Sequence, residues 1–221
     1  MASILKVDKI RGTGLDSDTI SLDGTGNITI PKNVTFTGTT TGAGSTTLLK
    51  TVTPSTVSSV DFVHGSNGVV LDTTYTRYKI TFDNLVPTAA GPYLFTFLST
   101  NSGSSYGGND AYNGVNFKYG SNGSTNVTQA QPSPNGFFHD GQIDNDATAN
   151  GGVSGSIEIS GIGTTHRQTV KMIAYHYDHN SYYQNSDNVG SLTNTTAVNG
   201  VRVAFNSGNI ASGTVKLYGI K

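Results

Sequence analysis

The sequence predicts an all-β protein, with a jelly-roll or β-sandwich domain over residues 48–221 behind an extended N-terminal β-shaft segment. Three observations predict it. Thr, Gly, Ser and Asn supply 102 of the 221 residues, and these types favour strands, turns and loops over helices. Charged residues make up only 12% of the chain, with Glu158 the single glutamate, so the solvent faces of helices have little to be built from. Short apolar runs of period two also recur between Gly- and Asn-rich turns. The formal net charge of −1 argues against disorder, which combines low hydrophobicity with high net charge.

The opening, residues 1–18, carries Ile4, Leu5, Val7 and Ile10 interleaved with Lys6, Lys9 and Arg11. Four aliphatics on a free tail would stay in water at a cost. This leader is therefore expected to dock on another protein.

Residues 19–47 hold three alternating runs, Thr19–Leu22, Asn27–Ile30 and Val34–Thr37, separated by Asp23-Gly24-Thr25-Gly26 and Pro31-Lys32-Asn33. Ile20, Leu22, Ile28, Ile30, Val34 and Phe36 form one apolar stripe. Six side chains on three tiny strands cannot make a core alone. Copies meeting on an axis can bury the stripe, so a homotrimer is expected, with these six residues as its contacts. Residues 38–47 read as a linker.

From Leu48 onward, strands are expected at Leu48–Thr53, Ser59–Val63, Thr74–Phe82, Tyr93–Ser99, Val115–Tyr119, Gly155–Ile162, Gln168–Tyr177, Gly200–Phe205 and Gly213–Tyr218. The last two alternate across Asn206-Ser207-Gly208-Asn209 and read as a hairpin. The polar stretches 100–114, 120–136, 140–153 and 178–199 read as long loops, where binding residues gather. Tyr106 and Tyr112 fall in one, Tyr182 and Tyr183 in another. Flat rings with a polar edge among Asn and Ser suit contact with a glycan or protein surface, so these four are the candidate receptor contacts.

Other patterns carry less. Gly103-Ser104-Ser105-Tyr106-Gly107 matches G-x-S-x-G, but a nucleophile elbow needs a helix after the serine, and Gly108–Gly114 cannot supply one. His176 and His179 are three apart, which on a strand puts them on opposite faces, so a hydrogen-bonded surface or interface histidine is expected. Asp140, Asp144 and Asp146 could approach calcium, yet Ala149 stands where an EF-hand needs glycine, and loop solvation is the expected role. No enzyme and no cofactor is expected. There is no cysteine, and hence no thiolate metal site. The basic residues are scattered, which argues against nucleic acid. Neither a signal peptide nor an apolar run long enough to insert in a membrane occurs.

The ending NGVRVAFNSGNIASGTVKLYGIK, Asn199–Lys221, resembles the closing hairpin of a β-sandwich module of tailed-phage fibre and structural proteins. The opening MASILKVDKIR, Met1–Arg11, resembles the start of virion proteins of marine phages, cyanophages included. The resemblance implies a virion fibre or surface protein, usually homotrimeric. Assembly in the host cytoplasm is then expected, and the protein on which the leader is expected to dock is another virion protein. Host attachment and capsid decoration are both compatible with it, and no binding residue is carried over.

Overall fold

The computed structural model describes residues 9–10, 20–22, 28–29 and 46–221, apart from 108–111, 124, 134–135, 139–140, 147–150, 179, 181 and 194. For 9–10, 20–22, 28–29, 112–114, 116, 126–133 and 138 the backbone alone is described. The chain divides into two units, Met1–Ala43 and Gly44–Lys221, with the division four residues ahead of the expected domain start.

In the first unit, β1 (Lys9–Ile10), β2 (Ile20–Leu22) and β3 (Ile28–Thr29) form an antiparallel sheet in that order. Ile10 pairs with Ile20, and Leu22 with Ile28, so these four positions share one face of the sheet. Two expected strands are thus present. Residues 9–10 of the leader join them as a third. Ile4, Leu5, Lys6, Val7, Arg11, Ile30, Val34 and Phe36 lie outside the described residues, as does the expected strand Val34–Thr37.

The second unit is all-β. Its strands are β4 (Thr46–Val52), β5 (Val60–Val63), β6 (Arg77–Pro87), β7 (Leu94–Ser99), β8 (Tyr112–Gly120), β9 (Thr125–Ser133), β10 (Phe137–Phe138), β11 (Val153–Ser160), β12 (Thr169–Tyr177), β13 (Tyr183–Leu192), β14 (Gly200–Phe205) and β15 (Ile210–Ile220). Eight form one antiparallel sheet, β4-β15-β6-β11-β12-β13-β8-β9, and four form another, β10-β7-β14-β5. The order supports an uneven sandwich; it does not establish a jelly roll, which shares eight strands between two Greek keys.

Alternation builds the core. Tyr78, Ile80 and Phe82 of β6, Ile157 and Ile159 of β11, Val170 and Met172 of β12, and Val215 and Leu217 of β15 are buried. Val60 and Phe62 of β5, Leu94 and Leu98 of β7, and Val201 and Val203 of β14 join the same apolar cluster from the smaller sheet. Each fully buried aliphatic or aromatic side chain contributes about 1.5–3 kcal/mol relative to exposure.

Two expectations about the chain path need correction. The segment 206–209 does not close a hairpin: β14 pairs with β5 and β7, whereas β15 pairs with β4 and β6. The two strands alternate because each presents one apolar face to the core, from opposite sheets. Nor are 120–136 and 178–199 mainly loops. They hold β9 and β13, and β13 lies between β12 and β8 with nine paired residues on each side. Its sequence, YQNSDNVGSL, is poor strand material by propensity. Two flanking ladders that satisfy its backbone override that preference.

Candidate functional site

The two halves of the eight-stranded sheet differ on the face turned away from the smaller sheet. On one half, Arg77 and Lys79 of β6 reach Glu158 of β11 at 3.9 and 3.4 Å, an ordinary solvated surface. On the other half, β12, β13 and β8 present large apolar side chains to water. Tyr175, Tyr183 and Tyr119 are 55%, 56% and 54% exposed, and Val189, Ile173 and Phe117 are 47%, 37% and 36% exposed. Six such groups lie on three adjacent strands of one face, an arrangement suited to contact with another molecule.

The registers fix how they line up. Tyr175 pairs with Asn185, Asn185 with Tyr119, and Tyr119 with Thr125. On the other side Tyr175 pairs with Ser154 of β11. One straight row therefore crosses five strands as Ser154, Tyr175, Asn185, Tyr119 and Thr125. The parallel row one step along places Ser156, Ile173, Asp187 and Phe117 in line. At the strand ends Tyr177 pairs with Tyr183, their ring centroids 3.9 Å apart and tilted by 48°. Lys171 and Asp187 bridge at 3.3 Å and cancel each other's charge beside the rings.

Behind this face sits a buried polar layer. His176, Asp178, Gln184, Ser186 and Asn188 are all buried. The Asp178 carboxylate accepts backbone N–H bonds from Asn180 (3.0 Å) and Tyr182 (2.9 Å), and a bond from the Gln184 amide. It thereby ties down the turn that delivers Tyr182 and Tyr183. His176 is not the surface or interface histidine that strand parity suggests. Its ring lies against Gly141, where an added Cβ would come within 2.3 Å of Cε1. Burial pushes its pKa down to about 4, helped by Lys118 and opposed by a hydrogen bond to the Gln142 backbone and by Asp178.

The four candidate tyrosines separate. Tyr183 belongs to the exposed face, and Tyr182, 41% exposed, stands beside it on the turn. Tyr112 opens β8, with its side chain outside the described residues. Tyr106 packs down: the Arg202 guanidinium lies 4.0 Å from its ring centroid, and Arg202 in turn forks onto Asp61 at 2.8 and 2.6 Å. Its hydroxyl is buried, and burial, with Asp61 adding to it, pushes its pKa up to about 12. This ring braces a loop rather than offering itself to a ligand.

Ser105, inside G-x-S-x-G, accepts a hydrogen bond from Asn101 Nδ2 at 2.8 Å, and the Ser105 N–H donates to Asn101 Oδ1 at 2.9 Å. That is turn chemistry. Asp144 Oδ1 accepts the Asp146 N–H at 3.2 Å, the local bonding of a loop, while Asp140 and His179 lie outside the described residues.

Comparison with protein-family models, curated proteins and solved structures finds no match to this chain. Functional inference rests on the site itself. Phe117, Tyr119, Ile173, Tyr175 and Val189 are the residues that sequence reasoning missed. A signal for some of them exists in Lys171–Tyr177, KMIAYHY, where both parities are apolar or aromatic although one face of a sandwich sheet normally meets water.

Proposed function

We propose that this chain is a trimeric virion fibre protein of the tailed-phage kind, anchored through its N-terminal leader and attaching to the host surface through its C-terminal β domain. The observation that carries the attachment role is the aromatic half of the outer sheet face. Strands on a hydrogen-bonded sheet hold these side chains in place before any ligand arrives, so little ordering cost is left for binding. An exposed tyrosine-rich face favours attachment over head decoration, because its rings suit contact with another surface. The leader's aliphatic and basic pattern, and the single apolar face shared by positions 10, 20, 22 and 28, support docking and trimer formation. Burying each aliphatic in a trimer contributes about 1.5–3 kcal/mol.

Two experiments test these roles. Purified protein should bind host cells and compete with phage adsorption. Absence of both, with particles lacking the protein still infectious but physically fragile, would establish decoration instead. Separately, the full chain should scatter light as a species of three times 23.1 kDa, and the chain without residues 2–12 should stay soluble but fail to enter particles. A monomer would rule out the trimer, and normal incorporation would rule out docking by the leader.

A further inference from the structure

The geometry points to an uncharged glycan as the ligand of the row Ser154, Tyr175, Asn185, Tyr119 and Thr125; this rests on the attachment role proposed above. The row alternates short polar and aromatic side chains. Its two tyrosines are separated by a single strand, and hence by about 10 Å of sheet. A pyranose ring has an apolar C–H face that stacks on an aromatic ring, and a rim of hydroxyls that need donors and acceptors. Asn185, between the two tyrosines, offers both through its amide. Thr125 does so at one end through its hydroxyl, whereas at the other end the Ser154 hydroxyl is engaged within the protein, accepting the Asn84 N–H at 2.9 Å and donating to Asp83 Oδ1 at 3.4 Å. A linear saccharide lying across the strands can place rings on Tyr175 and Tyr119 with the intervening hydroxyls over Asn185.

Electrostatics selects the class. The row itself carries no ionised group. At its edge the Ser154 hydroxyl donates to the Asp83 carboxylate at 3.4 Å, an anion that repels an acidic sugar, and Lys171 and Asp187 on the same face pair with one another at 3.3 Å. An acidic sugar gains no cation here, so a neutral one is favoured. A second copy of the chain fits less well. Six large side chains, each about half exposed, offer on the order of 500 Å², against roughly 800 Å² per partner in a stable interface. The interleaved Asn, Ser and Thr would also break the continuous apolar centre such interfaces have.

The test uses the full chain on an array of neutral and acidic glycans, beside binding to intact host cells. Wild-type protein should bind neutral glycans, and a Tyr119→Ala, Tyr175→Ala double variant should lose at least about tenfold in affinity with its melting temperature unchanged. Asn185→Ala should weaken binding at an intact fold as well, which keeps the test decisive if the double variant misfolds. Preference for acidic glycans, no binding to any glycan, or equal binding by variants and wild type overturns the glycan assignment. If cells are still bound after periodate destroys their glycans, attachment stands and only this inference falls. If cells are never bound, the attachment role itself is wrong.

Discussion

Gly155→Ala should cost about 3 kcal/mol of stability or more, at the upper end of what overpacking does. Gly155 pairs with Ala174 of β12 on one side and Phe82 of β6 on the other, where the β11–β6 register shifts beside Val153. A Cβ there would lie 2.1 Å from the Ile173 carbonyl oxygen and 2.9 Å from the Ala174 Cα. Both are backbone atoms of a central strand. Neither can rotate aside, so β11 and β12 must separate or the local ladder must break. Because β12 carries Tyr175, ligand binding should fall together with the urea midpoint. Ser156→Ala, one residue along on the same strand, should stay within about 0.5 kcal/mol. Equal midpoints for the two variants would show that the strands accommodate the methyl group.

Acid should weaken the domain through His176, over a window set by its two pKa values. The unfolded side chain titrates near 6.5, and burial in the folded state brings it down to about 4. Above about pH 6.5 both states hold a neutral imidazole and the full stability is present. Between there and about pH 4 the unfolded chain takes up a proton that the folded chain refuses, so stability falls as pH falls. The loss levels off once both states are protonated. Its total is on the order of 3 kcal/mol. Urea unfolding at about pH 7.5, 5.5 and 4.5 should show this slope in wild type. His176→Gln should be less stable at neutral pH but markedly flatter across the same interval. Parallel slopes would show that His176 is not the source of the acid sensitivity.

How far the sequence could be read depended on where each strand keeps its apolar side. Val201-Arg202-Val203 and Thr214-Val215-Lys216-Leu217 announce strands because each has one wet and one dry face. Alternation does not say which sheet a strand joins, and that is why a crossing between sheets reads as a hairpin. β13 is the opposite case. Gln184, Ser186 and Asn188 face inward, so the strand has no apolar stripe on its buried side, and its pairing is decided by neighbours far away in sequence. The aromatic face was half legible for the same reason. Tyr183 stands out among polar residues, whereas Tyr119 and Tyr175 sit in runs where an aromatic is ordinary strand material, and only the registers bring them into line.

The first strand of the domain, β4, lies at one edge of the large sheet, with β15, β6 and β11 between it and the aromatic strands. Suppose the chain is held upstream of Thr46 while a ligand is held on Tyr175 and Tyr119. Tension then travels sideways from strand to strand, through hydrogen bonds, rather than lengthwise along covalent backbone. The junctions on that route are four ladders, β4 with β15, β15 with β6, β6 with β11 and β11 with β12. The first to yield under load should be the edge itself, where β4 has a single neighbour. The domain would then lengthen by releasing β4 while the aromatic strands stay paired, so that the edge strand serves as a compliant first element under load.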